Sequence, residues 1–486
     1  MSQPPNILWI CMDQHPYANR GSVAQNLPLQ ARMACEGTRY TNAFTVLPIC
    51  SPARASMLTG LYPHAHGLTE NDGRFGGRTG LSPEDWMVHH PFAEAGYRTA
   101  WFGKWHLDNH SDAGAFGFEG WSLPGYGYPY ATPEYADYLE RKRLSPPMVE
   151  VELRGESLAE AGTRWSLQDL TDWPEYEAGS LLLDGPAETH EAFFVADLAS
   201  SWIKKNAGSP FFLRVDPWGP HPPYMVAQEY RCRLGEPHDF RPANFWSDLA
   251  HRPAHHAAYR DSWANLALSD AGWRLLAERS LEQAMLVETA MCTLLGTLSA
   301  VGLTDQTIVV ICADHGDAVA SNGGVANKGS LLVEETVRIP LFMSGPGIPV
   351  GDTVHEIVSN LDIAPFLLAS AGLSGPDDLH GDDLNPLTCP SPSSTRTGVM
   401  LQHYGLHDPI LQRAWRSGRW KLVVQEDGFT ELYDIVEDPC EMTNLAGVPA
   451  HQATLEALRG NLFAEMTRLD DLGDRQTTLM SAAMRF

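Results

Sequence analysis

The sequence predicts an α/β fold, with a large, mostly parallel sheet flanked by helices and a smaller C-terminal antiparallel sheet plus a helix. Three observations lead to this prediction: continuously apolar runs typical of buried strands, helical patterns that alternate with these runs, and a change to short strands and turns after residue 373. Of the 486 residues, 43% are hydrophobic, which is enough apolar surface for a sizeable core.

The first predicted strand is NILWICM at residues 6–12, an unbroken apolar run that stops abruptly at a polar segment. Further buried strands are predicted to begin at Phe211, Thr307 and Val337. Between the strands, helical patterns predict helices over residues 83–95, 190–206, 281–300 and 361–371. Strands and helices in alternation indicate a sheet that is covered on both faces.

Carboxylates follow three of the predicted strands, at Asp13, Asp216 and Asp314. In parallel α/β sheets, ligands bind beyond the carboxyl ends of the strands. We therefore expect these three side chains to converge at one edge of the sheet.

The C-terminal part of the chain has a different texture. Residues 374–394 are rich in Pro, Gly, Ser and Asp and are predicted to be a connector. Short strand patterns and one helical pattern follow, at residues 398–404, 413–425, 430–436 and 451–469. We predict a larger domain over residues 1–373 and a smaller α+β subdomain over residues 374–486.

Two segments are predicted to be insertions on the ligand-binding face: the acidic, Trp- and Pro-rich residues 109–184, and the His-rich segment from His251. Trp121 and Tyr128 in the first segment either stack on a substrate ring or pack an irregular surface. Asn71 is either an anion contact or an ordinary turn residue.

Charge and composition exclude several classes of function. The 60 acidic and 34 basic side chains leave a formal charge of −26, which disfavours nucleic acid as a partner. No run approaches the roughly 20 apolar residues of a membrane span. The N-terminal residues lack a charged n-region, and the eight cysteines form no CxxC pair, so we expect a cytoplasmic location. The oligomeric state is left open.

The most specific segment is CSPARASMLTG, residues 50–60. Cys50 precedes a helical segment with an early proline, where free backbone N–H groups favour an anion. This segment resembles the C-x-P-x-R and T-G signature of the sulfatase family of the alkaline phosphatase superfamily. Further resemblance lies in GKWHL from Gly103, PHPPY from Pro220, ADHGD from Ala313, NKG from Asn327 and ELYDIVEDPCEMTNLA from Glu431. The resemblance covers most of the chain and implies an alkaline phosphatase-like fold, with residues 1–373 as the catalytic domain.

The resemblance implies that Cys50 is oxidised to formylglycine by a formylglycine-generating enzyme. A hydroxyl of the hydrated aldehyde would attack the sulfur of a sulfate ester. The resulting sulfated hemiacetal would expel sulfate by C–O cleavage and restore the aldehyde. A serine could not regenerate in this way.

A divalent metal site is predicted where two strands end. Asp13 and Gln14 follow one strand, Asp314 and His315 follow another, and the group formed from Cys50 would complete the ligand set. Many family members carry a second aspartate at the position of Gln14. Because an amide replaces a carboxylate there, the site has one negative charge fewer. Calcium is the expected ion, with Mn²⁺ and Mg²⁺ as alternatives.

Fixed cations are needed where negative charge develops, and the matching motifs provide Arg54, Lys104 and Lys328. Arg54 lies one helical turn after Cys50, so we expect it to brace the diol and the metal ligands. Lys104 and His106 would point to the same side of an extended segment.

The resemblance also implies the proton transfers. Asp314 would assist deprotonation of the attacking hydroxyl, and His106 would take the proton in the elimination step. His221, in a Pro-rich turn, is expected either to protonate the leaving alkoxide or to bind a sulfate oxygen. Lys328 is a second candidate for the same task, and the sequence does not decide between His221 and Lys328.

The predicted function is hydrolysis of a sulfate monoester, an aryl, sugar or alkyl ester, to an alcohol and inorganic sulfate through a metal-bound formylglycine gem-diol. The substrate would be a small anionic sulfate ester. The alternative is a phosphonate monoester or phosphodiester hydrolase of the same superfamily, some of which carry Gln beside the first aspartate. The Lys104-Trp105-His106 motif favours the sulfatase. A non-catalytic protein that keeps only the fold is a third hypothesis, which the retained site residues oppose.

Overall fold

The computed structural model of the chain describes residues 4–24, 27–153, 161–169, 179–234, 239–262, 268–384 and 396–471. The strands are β1 (Asn6–Met12), β2 (Thr38–Phe44), β3 (Arg98–Lys104), β4 (Glu119–Leu123), β5 (Met148–Leu153), β6 (Arg164–Ser166), β7 (Ser180–Asp184), β8 (Phe211–Asp216), β9 (Tyr224–Ala227), β10 (Thr307–Ala313), β11 (Leu341–Ser344), β12 (Asp352–Ser359), β13 (Gly398–Gly405), β14 (Pro409–Ser417), β15 (Trp420–Gln425) and β16 (Thr430–Asp434). The helices are α1 (Gly21–Ala24), α2 (Pro28–Glu36), α3 (Cys50–Thr59), α4 (Pro63–His66), α5 (His89–Glu94), α6 (Pro133–Lys142), α7 (Glu191–Asn206), α8 (Ala254–Ser262), α9 (Asp270–Ala300), α10 (Glu334–Val337), α11 (Ile363–Ser370) and α12 (Gln452–Arg468).

The main sheet has eight strands in the order β12-β2-β11-β10-β1-β8-β3-β4. Every neighbouring pair is parallel except the two that involve β11, which runs against β10 and β2. The predicted fold class, a large and mostly parallel sheet, is therefore confirmed. Such a sheet presents the ends of most of its strands at one edge, where ligands bind.

Strand β1 is apolar from Ile7 to Met12 and is buried on both faces. Its odd-numbered residues from Ile7 to Cys11 pack into one apolar layer together with α3, α5 and α11. Its even-numbered residues from Leu8 to Met12 pack into the opposite layer with α2, α7 and α9. Helices on both faces thus fix the central strands, and the loops at their ends are held on a rigid support.

The C-terminal sheet is four-stranded and antiparallel, in the order β13-β14-β15-β16, and α12 packs on it, as predicted. Its core also takes in Phe44, Val46 and Ile357 from the preceding part of the chain. Because this core is shared, the boundary at residue 373 stays a prediction. Residues 385–394 of the predicted connector lie outside the described residues.

Three predicted elements have different bounds in the structure. The helix predicted over 83–95 is shortened to α5, because the Asp85 carboxylate accepts a hydrogen bond from the Ser82 N–H at 2.7 Å and holds a turn before it. The helix predicted over 281–300 begins earlier, at Asp270, where the Ser269 hydroxyl caps it. The strand predicted from Val337 begins only at Leu341, because Val337 ends α10 and a proline follows.

The predicted insertion at residues 109–184 contributes to a third sheet, of order β6-β5-β7-β9. Residues 154–160 and 170–178 of this segment lie outside the described part of the chain. The seven cysteines within the described ranges are all free thiols. Within the same ranges, the chain has no helix that combines the length and apolarity needed to span a bilayer.

Candidate active site

Four neighbouring strands of the main sheet bring charged side chains to one edge. In the order β10, β1, β8 and β3, these strands end in or are followed by Asp314, Asp13, Asp216 and Lys104. The β1 and β10 ends are paired in register, as are the β3 and β8 ends. The expected convergence of the three aspartates is therefore observed, and a lysine joins them.

Arg54 connects the three aspartates. Helix α3 begins at Cys50, and Arg54 lies one turn further on, fully buried. Its Nε donates to Asp314 Oδ2 at 2.9 Å and its Nη1 to Asp216 Oδ2 at 2.5 Å. Its Nη2 lies 4.0 Å from Asp13 Oδ1. The arginine thus braces the carboxylates around Cys50, in the place that the helical spacing predicts.

Asp216 is shared between Arg54 and a second buried arginine. Arg214 Nε donates to Asp216 Oδ1 at 2.7 Å, and the Arg214 guanidinium lies 3.9 Å from the centre of the Trp9 ring. Sequence analysis did not select Arg214. The available signal was an arginine inside the apolar run FFLRVD, where a buried charge requires a partner.

We expect Asp216→Ala to destabilise the protein strongly, because it leaves the buried Arg214 without its carboxylate and removes one of the two carboxylates that Arg54 bonds. Removing one partner of such a buried pair costs about 3–5 kcal/mol. Urea denaturation would measure the change in the free energy of unfolding. The control is Glu36→Ala, which breaks the exposed pair with Arg32 and should cost about 1 kcal/mol or less. Equal small effects of both variants would contradict the bracing role.

Four side chains form a group that fits a metal ion. The ligand atoms of Asp13, Cys50, Asp314 and His315 lie within 4.8 Å of one another, and all four residues are buried. Asp13 Oδ1 has no hydrogen-bond partner among the described residues, which is costly for a buried carboxylate oxygen. A cation at this point would satisfy that oxygen.

The orientation of His315 also fits a metal ligand. Its Nδ1 lies 2.9 Å from the Gly316 carbonyl oxygen, which can only accept, so Nδ1 carries the proton. In the neutral imidazole the lone pair of Nε2 then faces the group, 3.3 Å from Cys50 Sγ. Gln14 lies beside this group, and its side-chain oxygen accepts from Lys328 Nζ at 2.8 Å.

The cations around the group favour negative charge on Asp13 and Cys50. Burial raises the pKa of Asp13, but Lys104, whose Nζ lies 2.5 Å from Asp13 Oδ2, and the other nearby cations hold that pKa well below its usual value. Burial also raises the pKa of the Cys50 thiol, but Lys104 and Lys328 outweigh it and lower that pKa. The site is thus built to hold an anion at position 50.

A small pocket opens above Cys50. Its free volume is about 30 Å³, enough for a group no larger than a few atoms. Its walls come from separate segments of the chain: Cys50, Asn71, His106, Tyr126, His221, Asn327, Lys328, Leu406 and His407.

Lys328 and His221 form one wall of this pocket and are hydrogen-bonded to each other. His221 Nδ1 lies 2.6 Å from the Pro222 carbonyl oxygen and carries the proton, so Nε2 accepts from Lys328 Nζ at 3.1 Å. Burial and then Lys328 hold the pKa of His221 well below its usual value, so the imidazole is neutral near pH 7. The proton in the hydrogen bond between Lys328 Nζ and His221 Nε2 therefore resides on the lysine.

Lys104 and His106 both lie against the ring of Tyr126. Lys104 Nζ is 4.1 Å from the ring centre, and the His106 ring packs edge-on against it at 5.2 Å. They share one side as predicted, although His106 has a φ of +53° and the segment is not extended there. Lys104 bonds Asp13 and is not among the residues that line the pocket, so its predicted role as a cation where negative charge develops stays a prediction.

The two aromatic residues of the predicted insertion that were candidates for stacking on a substrate ring pack against other side chains of the protein. Trp121 and Tyr128 both contact the ring of Trp218, at 6.2 and 5.9 Å between ring centres. The residue that lines the pocket is instead Tyr126, which sequence analysis did not select. Asn71 also lines the pocket, and its side-chain oxygen accepts from the Ser51 N–H at 3.0 Å.

Comparison with known proteins identifies the class to which this fold and site belong. The model of the sulfatase family matches residues 5–373, and the model of the C-terminal region of N-sulphoglucosamine sulphohydrolase matches residues 327–468. The class is that of the sulfuric ester hydrolases of the alkaline phosphatase superfamily. Within it, the chain belongs to the sulfatase family, as its motifs predict.

The chain is similar along nearly its whole length to characterised relatives. It is 27% identical to an ulvan-active sulfatase of Formosa agariphila, over 97% of this chain and 82% of the relative. Its fold resembles that of an enzyme solved with its substrate D-glucosamine-2-N,6-O-disulfate, with a TM-score of 0.73, 21% identity and coverage of 98% and 99% of the two chains. It also resembles the phosphonate monoester hydrolase of Silicibacter pomeroyi, with a TM-score of 0.74, 21% identity and coverage of 96% and 95%.

Proposed function

We propose that this protein hydrolyses a sulfate monoester to an alcohol and inorganic sulfate, with a formylglycine made from Cys50 and one divalent cation. The observation that carries the proposal is the position of Cys50, which lies within one buried group with Asp13, Asp314 and His315 and lines a small pocket. The sulfatase of Formosa agariphila and the enzyme solved with a sulfated glucosamine support a sulfated sugar among the substrates.

The residues that would hold the cation are Asp13, Asp314, His315 and the group at position 50, with Gln14 as a further candidate. A divalent cation bound by these residues would lower the pKa of a hydroxyl of the hydrated aldehyde. Calcium is the proposed ion because most of the ligands are hard oxygens. Maturation would require a formylglycine-generating enzyme, and a cytoplasmic location stays a prediction.

The chain's own residues have separable tasks in this proposal. Arg54 holds Asp314 and Asp216 in place, so the carboxylates do not reorganise during the reaction. His106, whose Nδ1 is buried without a partner among the described residues, takes the proton when sulfate leaves. Lys328 and His221 together deliver a proton to the leaving oxygen of the alcohol.

The proposal is tested by measuring sulfate release from aryl, sugar and alkyl sulfates. The rival hypothesis, a phosphonate monoester or phosphodiester hydrolase, is favoured by Gln14 beside Asp13 and by the fold of the Silicibacter enzyme. The two are separated by comparing kcat/KM for 4-nitrophenyl sulfate with that for 4-nitrophenyl phenylphosphonate. A higher value for the phosphonate would overturn the sulfatase proposal.

We expect Lys328→Ala to slow the hydrolysis of esters of poorly acidic alcohols far more than that of 4-nitrophenyl sulfate. The reason is that a poor leaving group needs the proton, and loss of a positioned acid costs about 10²–10⁴ in rate. A leaving-group series of kcat/KM measures this, with Lys104→Ala as the control whose losses should not depend on the leaving group. Parallel slopes for Lys328→Ala and wild type would refute the acid role.

A further inference from the structure

The C-terminal sheet contributes a hairpin turn to the pocket. Strands β13 and β14 are joined by residues 406–408, and Leu406 and His407 line the pocket together with Cys50. These two residues lie outside the motifs on which the resemblance to the family rests. Their contribution to the site is not explained by the chemistry at Cys50.

The turn is hydrogen-bonded to the loop that carries Lys328. The Leu406 N–H donates to Ser330 Oγ at 2.9 Å, and the Gly405 N–H donates to His403 Nδ1 at 2.9 Å. Leu406 is thereby bonded to Ser330, which follows the proposed proton donor Lys328 by two residues.

His407 is fixed from the other side by α8. Its ring stacks on that of Tyr259, with 5.5 Å between centres and 15° between planes, and the Tyr259 hydroxyl donates to the Ala326 carbonyl at 2.7 Å. Gly329 makes this possible, because a Cβ there would lie 2.6 Å from the tyrosine ring. Burial, Lys328 and Arg74 lower the pKa of His407 to about 4, so it is a neutral, flat ring at neutral pH.

The position of this turn in the pocket determines which part of a bound substrate it would contact. The free volume beside Cys50 is about 30 Å³, about that of one or two water molecules. Leu406 and His407 line the same pocket as Cys50 and are both partly exposed, so an ester whose sulfate reaches Cys50 would bring its carbon skeleton against the apolar surface of Leu406 and the ring of His407.

We propose that Leu406 and His407 contact the alcohol portion of the substrate and select esters whose alcohol presents a ring over esters of small alkyl alcohols. The inference deepens the proposed function and rests on it for the nature of the substrate. It assigns a specificity role to the C-terminal sheet.

The test measures binding of phenyl sulfate and methyl sulfate by calorimetry, in the Cys50→Ala background with the divalent cation present. We expect Leu406→Ala and His407→Ala to weaken phenyl sulfate binding by about fivefold to tenfold, the loss of one apolar contact, and methyl sulfate binding by less than about twofold. His407→Phe keeps a flat ring and should retain the affinity for phenyl sulfate. The matched control is Asp408→Ala, the exposed residue of the same turn, which should change neither ester.

Equal losses for both esters would show a structural role only and overturn the proposal. Unchanged binding in both alanine variants, or no preference for phenyl sulfate before either change, would overturn it as well. Because Cys50→Ala cannot turn over, this measurement is independent of the reaction. Absence of sulfate release by converted wild-type enzyme would instead refute the proposed function alone.

Discussion

Replacement of Cys50 by alanine is expected to abolish hydrolysis of sulfate esters and to leave the fold intact. The Cys50 side chain is 1% exposed and its loss removes a single sulfur atom, so the structural cost is small. The chemical cost is large because position 50 provides the nucleophile, and removing a nucleophile typically costs about 10⁴-fold or more in kcat. Sulfate release, together with thermal unfolding of the same sample, measures the two effects separately.

The matched control is Cys35→Ala, which removes an exposed thiol near the end of α2. Activity of this variant should equal that of wild type. Retained turnover in Cys50→Ala, or an equal loss in both variants, would contradict the role of position 50.

Removal of the divalent cation is expected to reduce turnover by a factor similar to that of Cys50→Ala. Asp314→Asn should lose the cation, because it removes a charge from the group and disturbs the Arg54 contact at 2.9 Å. Elemental analysis of active wild-type protein should find one divalent ion per chain, and a chelator should abolish turnover until the ion is restored. We expect that ion to be calcium.

Asp317→Asn provides the control for the metal prediction. Asp317 is two residues beyond His315, but its carboxylate accepts from the Tyr224 hydroxyl and the Val319 N–H and lies outside the ligand group. This variant should keep its metal. Active enzyme without a divalent ion would refute the site, whereas manganese in place of calcium would change only the identity of the ion.

The central strands could be predicted from the sequence because they are buried on both faces. Residues 7–12 and 308–313 are apolar without interruption; the first strand has the predicted bounds 6–12, and the second begins at Thr307 as predicted. By contrast, β2 has the sequence TRYTNAF and alternates between buried and partly exposed positions, so its apolar signal is weak. Strand β12 begins with exposed residues at the edge of the sheet and was missed for the same reason.

The candidate site was predictable where its residues follow a strand or begin a helix. Asp13, Cys50 and Asp314 come together because adjacent strand ends and one helix start meet at the same edge. Pairings were not predictable, because spacing does not show that Lys104 donates to Asp13. His407 reaches the pocket only through the packing of a sheet that forms some 350 residues after Cys50, and no local pattern marks it.

The most direct test of the account compares the degree of maturation with the rate. The protein is produced with and without a formylglycine-generating enzyme, and peptide mass spectrometry gives the fraction of chains that carry formylglycine at position 50. We predict that turnover of a sulfate ester is proportional to this fraction and extrapolates to zero when no chain carries formylglycine. Full activity in a preparation in which position 50 is entirely cysteine would contradict it.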